Sequence, residues 1–171
     1  MENKPLVGIV MGSDSDFPKI KGALDALTQF GVPFEVHVMS AHRTPQLVEK
    51  FAKNARANGL RVILAAAGGA AHLAGVVASH TTLPVIGIPL ATDVMGGLDS
   101  LLSTVQMPGD IPVATVGVGS GGAKNAGILA VEILAVADAE LQKKLEDFRT
   151  ALVQKILDKD ANLQTKLSNE Q

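Results

Sequence analysis

Short apolar runs alternate along this chain with segments whose apolar positions recur every three to four residues. "LVGIVM" (6–11), "FEVHVMS" (34–40), "RVILAAA" (61–67), "LPVIGIP" (83–89) and "IPVATVGV" (111–118) predict five strands. Between the first two, Phe17, Ile20, Leu24 and Leu27 fall on one helical face, and Gly31 ends the helix. Leu47, Val48, Phe51, Ala52 and Ala55 repeat the pattern before Gly59. Thr44 is placed to cap that second helix, with Pro45 at its first position.

Strand–helix units joined by short loops imply a parallel sheet with helices on both faces. The expected fold is a flavodoxin-like, doubly wound α/β/α sandwich of three layers around a five-stranded parallel sheet. The end of the chain departs from this rhythm. After Asp138, a candidate N-cap, Leu141, Leu145, Phe148, Leu152 and Ile156 form an apolar stripe with no strand to follow. This extra C-terminal helix either covers its own sheet or docks on another subunit. One domain over residues 1–158 is expected, with 159–171 a polar, disordered tail.

Composition narrows the function. Only 3% of residues are aromatic, all of them Phe, so stacking platforms for nucleic-acid bases are lacking. The formal net charge of −2 gives no basic field for a polyanion. The absence of Cys removes disulfides, thiol nucleophiles and thiolate metal sites. No segment reads as a signal peptide or a membrane span, so a cytoplasmic protein with no membrane partner is expected.

In an open parallel sheet, ligands sit beyond the carboxyl ends of the strands. Three loops lie there: "GSDSD" after the first strand, "SAHRTP" after the second and "AGGAAHL" after the third. Gly12 permits a sharp turn, and Ser13 to Asp16 lead into a helix whose N–H groups attract anions. The two serines suit a phosphate, whereas Asp14 and Asp16 repel one, so a cation must come from elsewhere. One Asp can cap the helix while the other accepts hydrogen bonds from a sugar diol. Arg43 supplies the cation with a planar fork of donors. His42 can exchange a proton near neutral pH, and Ser40 stands beside it. Ala65 to Ala71 carry no bulky side chain, which lets backbone approach a flat ring and offers N–H groups to an oxyanion. His72 follows in the first turn of the next helix. His37 and His80 read as structural or solvated, and no His, Asp or Glu set has metal-ligand spacing.

Other glycine motifs fail their context. "GVGSGG" (117–122) fits G-x-G-x-x-G but follows the last strand, so the required βαβ unit is missing. No G-x-x-x-x-G-K-[ST] loop occurs. A phosphoacceptor receiver would need an Asp where Gly68 and Gly69 stand, and a flavin site would usually bring Trp or Tyr.

With "GSDSD", "SAHRTP" and "AGGAAHL" in this order, and "DSLLSTVQMP" at 99–108, the chain resembles the class I N5-carboxyaminoimidazole ribonucleotide mutases of purine biosynthesis. The resemblance runs from about Val7 to about Ala151. It implies a homo-octamer with no cofactor and no metal. It also implies transfer of a carboxylate from the exocyclic nitrogen of an imidazole ribonucleotide to ring carbon C4. On this resemblance Ser13 and Arg43 bind phosphate with Ser15 nearby, and Asp16 takes the ribose hydroxyls. Ser40, Ala67, Gly68, His72 and Leu73 line the pocket for the migrating carboxyl group, and His42 shuttles the proton.

Members of that group often have Pro where this chain has Ala74, which should alter a helix start and not the chemistry. Two alternatives stay open: a direct aminoimidazole ribonucleotide carboxylase, and a non-catalytic nucleotide-binding module. The "VQMPGD" loop precedes the fifth strand, so Met107 and Pro108 are expected to cover a neighbouring subunit's site.

Overall fold

The computed structural model describes residues 4–169, which fall into two compact units, one running to Ile133 and one starting at Leu134. The first unit holds β1 (Val7–Met11), α1 (Phe17–Phe30), β2 (Phe34–Val38), α2 (Pro45–Asn54), β3 (Val62–Ala67), α3 (Leu73–Ser79), β4 (Val85–Pro89), α4 (Leu98–Val105) and β5 (Ala114–Thr115). It also includes most of α5 (Ser120–Ala135). All strand pairs are parallel, in the order β2-β1-β3-β4-β5. This is the expected flavodoxin-like sheet.

Every residue of β1 and β4 is buried, as are the first five of β3. A strand covered on both faces has no reason to alternate polar and apolar, so these segments read as continuous apolar runs. On one face Val10, Ile63, Ala65 and Val85 pack with Val48 and Ala52 of α2 and with Leu73, Ala74 and Val77 of α3. Ile9, Leu64, Ile86 and Ile88 point the other way and are fully buried under α1 and α5. Those two helices approach closely at Gly127, where a Cβ would lie 2.7 Å from the Ala23 carbonyl oxygen. Only glycine permits that spacing.

Two boundaries differ from the sequence expectation. The run 111–118 contributes only Ala114 and Thr115 to the sheet, because Pro112 has no N–H to donate and Gly117 follows closely. In the loop before β5 the Met107 sulfur packs over Gly75, 3.1 Å from where a Cβ there would lie, while Pro108 is exposed. Ala74 occupies the first turn of α3, where a proline would also be accommodated because no intrahelical N–H bond is required.

The second unit is dominated by α6 (Ala139–Asn169). Asp138 caps it as expected, its Oδ1 accepting from the N–H groups of Glu140 and Leu141 at 3.0 Å each. The helix passes through 158, where sequence composition suggested an unstructured tail, and only 170–171 of that tail lie outside the described residues. No Gly or Pro follows Gly127, and the pairs Lys143–Asp147 and Gln154–Asp158 support the exposed turns.

Candidate active site

β1 has β2 on one side and β3 on the other, so the connection after β1 runs to one side of the sheet and the connection after β3 to the other. Loops that diverge this way open a crevice between them. Here the crevice is a cleft of about 380 Å³. The first loop and the start of α1 give it Gly12, Ser13, Asp16 and Lys19; the second loop gives Ser40, Ala41, His42 and Arg43. Ala67, Gly68, Ala71, His72 and Leu73 come from the third, and Thr92 from the segment after β4. All the site residues expected from sequence line this cleft except Ser15, whose hydroxyl instead lies 2.9 Å from that of Ser13.

The second loop is fixed by its own side chains. Thr44 is the N-cap residue of α2, as expected, but its side chain makes no cap bond: Oγ1 donates to the Ser40 carbonyl at 3.2 Å and accepts from the Ser40 N–H at 2.9 Å. Ser40 Oγ accepts from the N–H groups of His42 (3.3 Å) and Arg43 (3.1 Å). A hydroxyl with its acceptor directions occupied has its O–H left to donate, which favours an anionic or carbonyl oxygen in the cleft. Arg43 Nη2 donates to the Gly12 carbonyl at 2.5 Å, tying the second loop to the first.

His42 and His72 meet across the cleft. His42 Nε2 lies 2.7 Å from His72 Nδ1, with ring centroids 4.9 Å apart and planes at 79°. One of the facing nitrogens must carry hydrogen and the other a lone pair, so the two imidazoles share a proton position. His37 and His80 stand elsewhere. The former lies 3.4 Å from Glu35 and edge-on to Phe51, and the latter closes α3.

In the first loop Ser13 Oγ accepts from the Ser15 N–H at 3.3 Å, and Asp14 Oδ1 accepts from the same group at 2.9 Å. Ser13 is thus the cap of the short turn Asp14–Asp16, with Asp14 as a second acceptor for the same N–H, and Asp16, at the N-cap position of α1 without a cap bond, lines the cleft. Lys19 Nζ stands 3.6 Å from Asp16 Oδ1.

The third loop forms the wall without side chains. Gly69 adopts φ 65°, and its N–H donates to Ser100 Oγ at 2.9 Å, so that N–H is already committed and cannot serve an oxyanion. Ser100 is fully buried on α4. A Cβ on Gly68 would sit 3.1 Å from the Thr92 methyl, so a side chain here would crowd that wall of the cleft.

Sequence reasoning missed Lys19, Thr92 and Ser100. The spacing of Lys19 three residues after Asp16 is a readable signal. Thr92 and Ser100 reach the loop only because β4 lies beside β3, which local sequence does not state. Ser100→Ala should leave the half-buried Gly69 N–H without its protein partner, at a cost of about 1 kcal/mol. We expect a lowered Tm together with a several-fold lower kcat, measured by thermal denaturation and steady-state kinetics. An unchanged Tm and kcat would remove Ser100 from any supporting role.

Among the described residues, no group of three His, Asp or Glu side chains converges as a metal site would require. Comparison with known proteins identifies the family of the chain. Residues 6–155 match the family described as AIR carboxylase. The N5-carboxyaminoimidazole ribonucleotide mutase of Synechocystis sp. is 54% identical over 160 residues, covering 94% of this chain and 90% of that protein. The mutase of Bacillus subtilis is 51% identical over 160 residues, covering 94% and 99%. The crystal structure of Treponema denticola PurE superposes with a TM-score of 0.84 at 29% identity, covering 93% of this chain and 98% of that one. The chain belongs to the AIR carboxylase family.

Proposed function

We propose that this protein is an N5-carboxyaminoimidazole ribonucleotide mutase of purine biosynthesis, an isomerase that moves the carboxylate from the exocyclic nitrogen to C4. The observation that carries the reading is the contact of two imidazoles over a wall of backbone and alanine, with the Arg43 guanidinium at the same cleft. A binding module would need the guanidinium and the serines but has no use for a proton-sharing histidine pair.

In this reading Ser13 and Arg43 hold the phosphate, Ser15 supports Ser13 from outside the cleft, and Asp16 accepts from the ribose hydroxyls. The base lies along Ala67, Gly68 and Leu73. The bond between the exocyclic nitrogen and the carboxyl carbon breaks, its electron pair remains on nitrogen, and protonated His42 supplies a proton there. Carbon dioxide is released into the pocket bounded by Ser40, Ala67, Gly68, His72 and Leu73. Ring carbon C4 then attacks it, forming the new carbon–carbon bond. Neutral His42 removes the C4 proton, which restores the aromatic ring and the starting state of the enzyme. Holding the gas beside C4 replaces a bimolecular recapture with an intramolecular one.

We also propose a homo-oligomer, specifically an octamer, working in the cytoplasm without nucleic-acid or membrane partners and without a cofactor. Exposed Leu98, Leu102 and Val105 on α4, and exposed Val153, Ile156 and Leu157 on α6, support subunit contacts. No helix among the described residues is long and apolar enough to cross a membrane.

The test supplies the purified protein with the N-carboxylated ribonucleotide, or with aminoimidazole ribonucleotide plus bicarbonate. Rapid formation of the C4-carboxylated product in the first arm alone is expected. Product formed efficiently only in the second would establish direct carboxylation, the chemistry named in the family's description. Binding without turnover in either arm would leave a ligand-binding module.

A further inference from the structure

The first loop sets a problem for an anionic ligand, because the Asp16 carboxylate lines the same cleft as Arg43. A carboxylate beside a phosphate dianion opposes its binding. With Arg43 and Asp16 alone, the fixed charges lining the cleft would sum to zero. Lys19 lines it too and changes that sum to +1.

Apart from its i,i+3 pairing with Asp16, the helix start gives no reason for a lysine here. Lys19 is the third residue of α1, at the positive end of the helix dipole, where a cation is unfavourable. No acidic residue occupies that first turn. The Asp16–Lys19 separation of 3.6 Å is an ion-pair distance longer than a good hydrogen bond, so the ammonium retains donors for another acceptor. The Lys19 side chain is 48% exposed and can adjust, whereas that of Asp16 is only 16% exposed and faces a small environment. Arg43 is held in place by its bond to the Gly12 carbonyl.

We infer that Lys19 is a second cationic contact for the phosphate of the ribonucleotide, and that it neutralises Asp16 so one carboxylate can serve ribose hydroxyls beside that phosphate. This deepens the mutase reading, and rests on it for the identity of the ribonucleotide. Lys19 acts in binding. It shares the cleft lining with Ser13 and Arg43 and is given no part in the proton transfers assigned to His42.

The experiment compares wild type with Lys19→Met and Lys19→Arg. The readouts are kcat and KM for the N-carboxylated ribonucleotide at low and high salt, and the Kd of ribose 5-phosphate by calorimetry. Lys19→Met should raise KM and the ribose 5-phosphate Kd roughly tenfold, the scale of one charge-assisted contact. Its kcat should stay within about threefold, as expected when an interaction common to ground and transition states is lost. The salt dependence of kcat/KM should flatten, and Lys19→Arg should recover most of the affinity. Unchanged KM and Kd in Lys19→Met would make Lys19 an ordinary surface cation and overturn the inference. So would a fall in kcat at constant KM. Circular dichroism on both variants identifies misfolding, and a folded Lys19→Arg that binds no better than Lys19→Met also contradicts the claim. If the wild type fails to convert the ribonucleotide, the mutase reading falls, while the ribose 5-phosphate comparison still decides the phosphate contact.

Discussion

Replacing His42 with Asn should leave the ribonucleotide bound while stopping its conversion. Asparagine fills similar space and keeps a polar group towards His72, so the loop fastened by Ser40 and Thr44 has no cause to move. What disappears is a group that can give a proton to the departing nitrogen and take one from C4. Acid–base assistance of this kind is worth roughly 10²–10⁴ in rate. We expect kcat to fall within that range, with KM and calorimetric Kd changed by no more than about threefold. On the proposed mechanism His72→Asn should reduce kcat less, since that ring meets His42 at 2.7 Å and its assigned part is to position it. Turnover in His42→Asn close to wild type would remove His42 from the chemistry. Loss of binding with residual turnover intact would assign it to substrate affinity.

Arg43→Met should produce the mirror result, with affinity lost and the chemical step largely kept once substrate is bound. The guanidinium does two things. Its bond to the Gly12 carbonyl holds the first and second loops together, and its remaining donors are available to an anion in the cleft it lines. Removing one partner of a charged, hydrogen-bonded contact typically costs about 2–5 kcal/mol, so kcat/KM should drop by roughly 10²-fold or more, mostly through KM. Arg43→Lys should recover only part, since an ammonium is a point charge without the planar fork. Competition by ribose 5-phosphate should weaken in parallel. A KM within about twofold of wild type would place the phosphate elsewhere in the cleft.

The sheet was readable because β1, β3 and β4 are covered on both faces and therefore appear as unbroken apolar runs. The same signal overestimated β5. An apolar run does not reveal that Pro112 interrupts edge pairing or that only Ala114 and Thr115 meet β4. Polar composition after 158 likewise hid a helix, because propensity and i,i+4 pairing extend α6 without any apolar cover. Ser13, Asp16, Ser40, His42, Arg43 and His72 could be picked out because polar residues at strand ends have few structural uses.

Side-chain direction was harder to read. Thr44 does stand at the N-cap of α2, but its hydroxyl bonds back to the Ser40 backbone instead of to the helix. Gly69 looked like an oxyanion donor but is taken by Ser100, thirty-one residues away. The His42–His72 contact likewise depends on two loops separated by β1, and no local pattern encodes it.

The decisive measurement follows an isotope. Substrate carrying ¹³C only in its N-carboxyl group is converted in buffer charged with unlabelled bicarbonate and carbon dioxide, and the product carboxyl is read by mass spectrometry. A pocket that keeps the released gas beside C4 predicts product that retains the label essentially undiluted at early turnover. Product labelled only to the level of the surrounding pool would mean that the carboxyl carbon leaves and re-enters through solvent, and the enclosed transfer assigned to this cleft would be wrong.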